Sequence, residues 1–332
     1  VHGLIKKNFF GNTKQYVLIG IIAVVILFEL SAIPYATHEE PIPEGYELIK
    51  NDGMDFVIFE SPNGGTGDFG LLTSPSFQYY QTYHEKPIYG GHESRVPLDA
   101  LTNSNTYFLN MFNFYGKKAD IVDQDLKIHG ISLFNYHEIK YLVVHKTLKE
   151  LAYFQNYNSK IFVPETRNLM DEILETEKPF YEDDEILVYK IPKSNSTKPF
   201  ILLGTGWQSF ESPTRMLVGP EGQFPPSGNR LMEQHSEVIL VNPNTNVINV
   251  TLEINLQAVK TTKTVQFSMN EEYLFDLEVP TAMSSLKFKD IVLQSGKNII
   301  SIDSTEFETF IEPTFQTEYK ISLVGYGISL LE

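Results

Sequence analysis

The chain has 332 residues, 26 basic against 42 acidic side chains, a formal net charge of −16, 42% hydrophobic and 13% aromatic residues, and no cysteine. That length and apolar content supply core for two folded units and exclude disorder over most of the chain. The lack of cysteine excludes disulfides, thiolate nucleophiles and thiolate zinc sites, and an acidic balance with no basic stripe after residue 20 excludes a grip on nucleic-acid phosphates.

In chain order, the first predicted element is apolar. Val17 to Pro34 (VLIGIIAVVILFELSAIP) is broken only by Glu29, and about 18 to 20 residues at 1.5 Å each cross a hydrocarbon core of roughly 30 Å. The sequence therefore predicts a cytoplasmic segment over 1–15 and a transmembrane helix over 16–35, with the membrane lipid bilayer as a partner. Lys6, Lys7 and Lys14 precede the run, while His38, Glu39, Glu40, Glu44 and Glu47 follow it, which places residues 36–332 outside the cytoplasm. The competing reading is a cleaved signal peptide closed by the small residues Ser31 and Ala32. Glu29 points either to neighbouring membrane helices or to a position at the outer interface. The start at Val1 fits the tail of a longer polypeptide.

Residues 36–193 mix the two periods of regular structure and predict an α/β or α+β domain. Asp55 to Ser61 (DFVIFES), Ile139 to His145 (IKYLVVH) and Glu185 to Ile191 (EILVYKI) are the predicted strands. Leu98 to Tyr115, Gln124 to Tyr136 and Glu165 to Glu175 carry apolar residues at helical spacing. Residues 194–198, within KSNSTK, form a polar linker. Beyond it, Val250, Leu252, Ile254 and Leu256 alternate with Thr251, Glu253, Asn255 and Gln257, the period of a half-buried strand. Similar runs recur at Pro199 to Leu203, Ser236 to Val241, Thr264 to Met269, Tyr273 to Val279, Asn298 to Asp303 and Tyr319 to Val324. They predict an all-β sandwich of jelly-roll type over 199–332, with a hairpin turn at Gln294-Ser295-Gly296-Lys297.

Each candidate for chemistry has a structural counterpart. Gly65, Gly67 and Gly70 (GTGDFG) follow a strand, as a dinucleotide fingerprint does, yet that motif needs a helix directly after it and Pro75 is expected to interrupt one. The run is therefore read as a flexible turn, and no cofactor is expected. Ser76 to Arg95 gathers Tyr79, Tyr80, Tyr83, His84, Glu85, Lys86, Tyr89, His92, Glu93 and Arg95. That mixture suits stacking on sugar rings and bonding to hydroxyls, against structural packing as the alternative. His84 with His92 or Glu93 matches no standard metal spacing, so no metal site is expected. Glu182 to Glu185 reads as a solvated turn. The lone Trp207 is either sandwich core or a ligand platform. Asn195-Ser196-Thr197 and Asn249-Val250-Thr251 fit the N-glycosylation pattern, with Asn195 the more accessible. No catalytic residue can be picked out.

Four stretches, IPYATHEEPIPEGYELIKND, YYQTYHEKPIYGGHESR, HGISLFNYHEIKYLVVHK and FYEDDEILVYKIP, carry a resemblance. Together they resemble the C-terminal part of archaeal and other prokaryotic GT-C-type glycosyltransferase-like membrane proteins. GTGWQSFESPTRML, with Trp207, Glu211 and Arg215, is similar to the opening of the sandwich that ends such proteins, and IVLQSGKNIISID to its later hairpin. The resemblance implies a non-catalytic extracytoplasmic tail that handles acceptor or glycan, or acts as scaffold. Its partner would be a glycan or a lipid-linked sugar, reached through the parent protein. The catalytic acid of that superfamily lies in a first extracytoplasmic loop upstream of everything here, so no catalytic residue carries over. The rival expectation is a stand-alone membrane-anchored surface protein whose sandwich binds a protein or carbohydrate partner.

Overall fold

The computed structural model describes residues 12–30, 41–53, 55–62, 68–89, 107–112, 120–147, 159–175, 178–208, 229–311 and 318–331. Two compact units result, 1–42 and 43–332. The first holds a single described helix, α1 (Asn12–Leu30, 19 residues), with Tyr16 to Val25 exposed. Among the described residues no helix is long and apolar enough to cross a membrane, which corrects the predicted transmembrane helix. The physical reason lies in the flanks. Asn12 to Gln15 and Glu29 are polar or charged, so the uninterrupted apolar run covers about 12 residues, roughly 18 Å of rise against a core of about 30 Å.

The second unit begins with α2 (Gly45–Lys50), β1 (Val57–Ser61), α3 (Asp68–His84) and α4 (Tyr107–Asn110). It continues through α5 (Leu126–Tyr136), β2 (Ile139–His145), α6 (Ser159–Leu174), β3 (Tyr181–Glu182) and β4 (Ile186–Lys190). The four strands form one sheet in the order β1-β2-β4-β3, with β1 and β2 parallel and the other pairs antiparallel. Side chains alternate across it. Phe59, Leu142, Val144, Leu187 and Tyr189 join the core that includes Leu133 and Phe134 of α5 and Leu169 and Ile173 of α6. The opposite face receives Tyr46 of α2 and Phe77, Tyr80 and His84 of α3, in ring contact with one another and with His145. Asp125 caps α5 by accepting from the Lys127 N–H at 2.9 Å. Helix α3 continues through residue 75, so the sequence expectation that Pro75 stops it is corrected. A proline forfeits one backbone hydrogen bond, whereas Phe77, Tyr80 and His84, all on one side, gain burial.

The remaining strands are β5 (Phe200–Leu203), β6 (Arg230–Glu233), β7 (His235–Asn242), β8 (Ile248–Ala258) and β9 (Lys263–Met269). They are followed by β10 (Glu272–Val279), β11 (Ser284–Leu293), β12 (Gly296–Ser304), β13 (Glu308–Ile311) and β14 (Glu318–Leu331). They make a β-sandwich of two five-stranded sheets, one ordered β10-β9-β12-β7-β5 and the other β11-β8-β14-β13 with β6 on β14. The turn predicted as a hairpin between β11 and β12 instead carries the chain from one sheet to the other, since β11 pairs with β8 and β12 with β7 and β9. The buried amide of Asn298 makes this corner possible. It donates to the carbonyls of Gln294 and Gly296 at 2.9 and 3.1 Å and accepts from the Gln294 N–H at 2.9 Å, replacing ladder bonds that a hairpin would supply. The actual tight hairpin joins β9 to β10 through Asn270 and Glu271, both at positive φ, as a two-residue turn with the twist of the strands requires.

The mixed sheet and the sandwich share one continuous apolar cluster, running from Phe59 and Leu142 through Ile121 and Trp207 to Leu252 and Leu323. The segment 120–124 is the seam. Arg230, only 2% exposed, donates from Nε and Nη2 to the two carboxylate oxygens of Asp120 at 2.8 and 2.6 Å. Val122 bridges Ile328, and the Gln124 amide both donates to and accepts from the backbone of Ile201 on the edge strand β5. Gly325 is needed here because a Cβ would stand 2.7 Å from the Trp207 ring. The expected linker is itself tied down: the Ser194 N–H donates to Asn135 at 2.6 Å, and Asn244 donates to the Thr197 carbonyl at 2.6 Å.

Arg230→Ala leaves the half-buried Asp120 without its cation, and urea unfolding is expected to show a loss of about 3 kcal/mol. Lys127→Ala, which breaks an exposed pair with Glu175, is expected to leave the midpoint unchanged within error.

Candidate functional site

The two sheets of the sandwich part at one side, between the edge strands β10 and β11. Each of these strands carries an extra residue. The β10 ladder slips between Tyr273 and Phe275, and the β11 ladder slips between Phe288 and Ile291, where Asp290 takes a φ of 57°. Bulges bend a strand and re-aim its side chains. Residues of both bulges, Leu274, Lys289 and Asp290, line a cleft of about 900 Å³.

Its floor is aromatic. Phe275 and Phe288 lie stacked at 5.3 Å, and buried Phe267 sits 5.2 and 5.1 Å from them. Leu277 and Leu286 extend the apolar surface, and the exposed Leu274 and Val292 stand at its margin. The rim is polar and divides into committed and uncommitted groups. Asn270 accepts from the Ile299 N–H at 2.8 Å, and Lys287 pairs with Glu253 at 3.2 Å. Glu272, Lys289, Asp290 and Gln294 are exposed, and among the described residues their side chains have no partner. An aromatic floor with uncommitted carboxylate, ammonium and amide groups above it can bind a molecule with an apolar face and hydroxylated edges.

The residues singled out in the sequence lie elsewhere. Tyr79, Tyr80, Tyr83 and His84 belong to the second half of α3, and Glu85, Lys86 and Tyr89 to the segment after it. The helix sorts them by face: Tyr80 and His84 are buried, while Tyr79 is exposed and the Tyr83 hydroxyl donates to Glu47 of α2. Tyr89 packs edge-on against Phe59 and His137. His92, Glu93 and Arg95, together with Glu211 and Arg215, lie outside the described residues, as do Gly65 and Gly67. Trp207 is core, with its Nε1–H donating to the Glu237 carbonyl at 2.7 Å. Asn195 and Asn249 are both exposed, the first in an irregular segment and the second within the β8 ladder. In the acidic turn, Asp183 accepts from the N–H groups of Glu185 and Ile186, and Glu182 pairs with Lys146 and Arg167. Among the described residues no group of three or more His, Asp or Glu side chains could hold a metal ion.

Sequence reading missed the cleft, although a signal for it exists. In SSLKFKDIVL the inward residues run Leu286, Phe288, then Ile291 and Leu293, a phase slip that marks the bulge. It also missed a polar cluster under α2 and α3. There the Glu60 carboxylate, 1% exposed, accepts from the Tyr46 hydroxyl at 2.9 Å and pairs with His145 Nε2 at 2.8 Å. Burial, and next the Glu60 charge, hold the Tyr46 phenol far above the usual range. Burial also pulls His137 down to about 4.

No protein-family model and no curated protein matches this chain. Among solved structures, the chain is similar to a family 35 carbohydrate binding module from an environmental isolate, at 15% identity and a TM-score of 0.23, over 38% of this chain and 88% of that one. It is also similar to CBM35 from Cellvibrio japonicus Abf62, at 17% identity and a TM-score of 0.23, over 40% and 96%. A third likeness is to the Podospora anserina GH26-CBM35 β-(1,4)-mannanase, at 15% identity and a TM-score of 0.24, over 41% and 28%. At these identities and scores the likenesses bear on no site of this chain.

If the β11 bulge rests on the backbone of residue 290, Asp290→Gly is expected to unfold at the wild-type urea midpoint, because glycine takes φ 57° without steric cost. Asp290→Val puts a branched Cβ there and is expected to lose about 1–2 kcal/mol.

Proposed function

We propose that the chain is a carbohydrate-binding protein and that its sandwich holds a sugar chain in the cleft between β10 and β11. One observation carries this reading: both edge strands are bulged, and the bulge residues Leu274, Lys289 and Asp290 line one cleft with an aromatic floor. The flat rings of Phe275 and Phe288 match the C–H face of a pyranose, while Glu272, Lys289, Asp290 and Gln294 match its hydroxyls. The resemblance to glycosyltransferase-like proteins suggests a setting, in which the chain holds an acceptor glycan for a transferase and takes no part in the bond-making step.

Calorimetry of the full chain against a panel of linear oligosaccharides is expected to give binding for at least one of them. Glu272→Ala combined with Lys289→Ala removes two exposed rim groups and is expected to weaken that binding at least tenfold with an unchanged melting temperature. No heat with any oligosaccharide, or equal affinity in the double variant, would overturn the assignment.

A further inference from the structure

The end of α3 is built around one imidazole. His84, 1% exposed, lies stacked on Tyr46 at 5.5 Å, and the column continues through Tyr80 and His145 to Phe77, with successive rings 14° to 27° apart in tilt. His84 Nδ1 accepts from the Lys86 N–H at 3.0 Å. In the neutral ring the proton therefore sits on Nε2, which is buried and has no hydrogen-bond partner among the described residues. The turn this bond closes is tight: Glu85 stands at φ 61° with its N–H on the Gln81 carbonyl, and the Gln81 amide donates to the Lys86 carbonyl. Beyond it, the Ile58 N–H donates to the Pro87 carbonyl at 2.8 Å and the Tyr89 N–H to the Ile58 carbonyl at 2.7 Å. Residues 87–89 thus cover the outer edge of β1, which is the edge strand of its sheet.

We propose that His84 is a proton-operated latch: a proton taken from solvent at Nδ1 turns the acceptor of the Lys86 N–H into a second donor, breaks that bond, and releases residues 85–89 from the edge of β1. The step is a simple protonation, with no other bond broken than the hydrogen bond. The resulting imidazolium would carry two buried N–H groups with no acceptor placed for either among the described residues, which is a costly state. The titratable and charged groups around the ring are Glu60 from β1, Tyr46 from α2, His145 from β2, Tyr80 on α3 itself and Lys86 just beyond it. Burial holds the His84 pKa below the ordinary imidazole value, Glu60 acts against this shift, and Lys86 adds to it. With the folded value lowered, the neutral ring stabilises the closed turn above about pH 6.5, and that stability is lost as pH falls through the folded pKa.

The test is amide hydrogen exchange of the full chain from pH 7.5 to below the His84 midpoint read by proton NMR, corrected for the intrinsic rate. Protection of the Lys86, Tyr89 and Ile58 amides is expected to fall at least tenfold on acidification in the wild type, while β7 and β12 keep theirs, and His84→Gln, whose amide oxygen can still accept from Lys86, is expected to stay protected throughout. Unchanged protection in the wild type below that midpoint, or the same loss in the glutamine variant, would overturn the latch. If the variant is already unprotected at pH 7.5, the proton NMR titration of wild-type His84 decides. Coincidence of its midpoint with the loss of protection supports the latch, and separate midpoints contradict it.

Discussion

A guanidinium does not stay at 2% exposure unless a carboxylate stands beside it, because desolvating an unpaired charge costs several kcal/mol. Arg230 is held that way by Asp120, 110 residues earlier in the chain, through two bonds of fixed geometry. This pair decides where the sandwich meets the α/β layer. Once it forms, Ile121 lies on Trp207 and Gly325, Val122 bridges Ile328, and Gln124 closes the edge of β5. A chain without cysteine has no covalent alternative at this seam.

The two sites described above solve opposite problems. At β10 and β11 the sandwich edge must stay open without becoming an aggregation template, and the bulges with exposed Lys289 and Glu272 do so by twisting the edge and charging it. At β1 the edge is covered instead, by residues 87–89, and the cover depends on one acceptor atom of His84. The ligand contact proposed at the first needs rings and hydroxyl partners held apart. Release at the second, as proposed, needs only one proton added at His84 Nδ1.

Much of the strand pattern was legible in the sequence, because periodicity reports burial directly. Ile139 to His145 is β2 at both ends, and the alternation from Val250 to Leu256 lies within β8. What failed were features whose cause lies far away in sequence. The hairpin predicted at residues 294–297 depends on strand pairing that Asn298 redirects through its own side chain. Pro75 predicts a helix stop from local sterics, and tertiary burial of Phe77, Tyr80 and His84 overrides it. The predicted span after Lys14 counts through Glu29 to Pro34, whereas the uninterrupted apolar run, which ends at Phe28, decides whether a helix can span a bilayer. The tyrosine-rich segment has too many polar groups for a core when counted along the chain, and a helix resolves this by sending Tyr80 and His84 inward and Tyr79 outward. Arg230 and Asp120 carried no local sign of their pairing.

The claim on which this account turns is that the cleft between β10 and β11 is the place where a glycan sits. A crystal structure of the full chain with a bound oligosaccharide tests it most directly. The account predicts a sugar ring lying against Phe275 and Phe288 with its hydroxyls within hydrogen-bond distance of Glu272, Lys289, Asp290 or Gln294. A glycan found on another face, with the cleft empty, would contradict it.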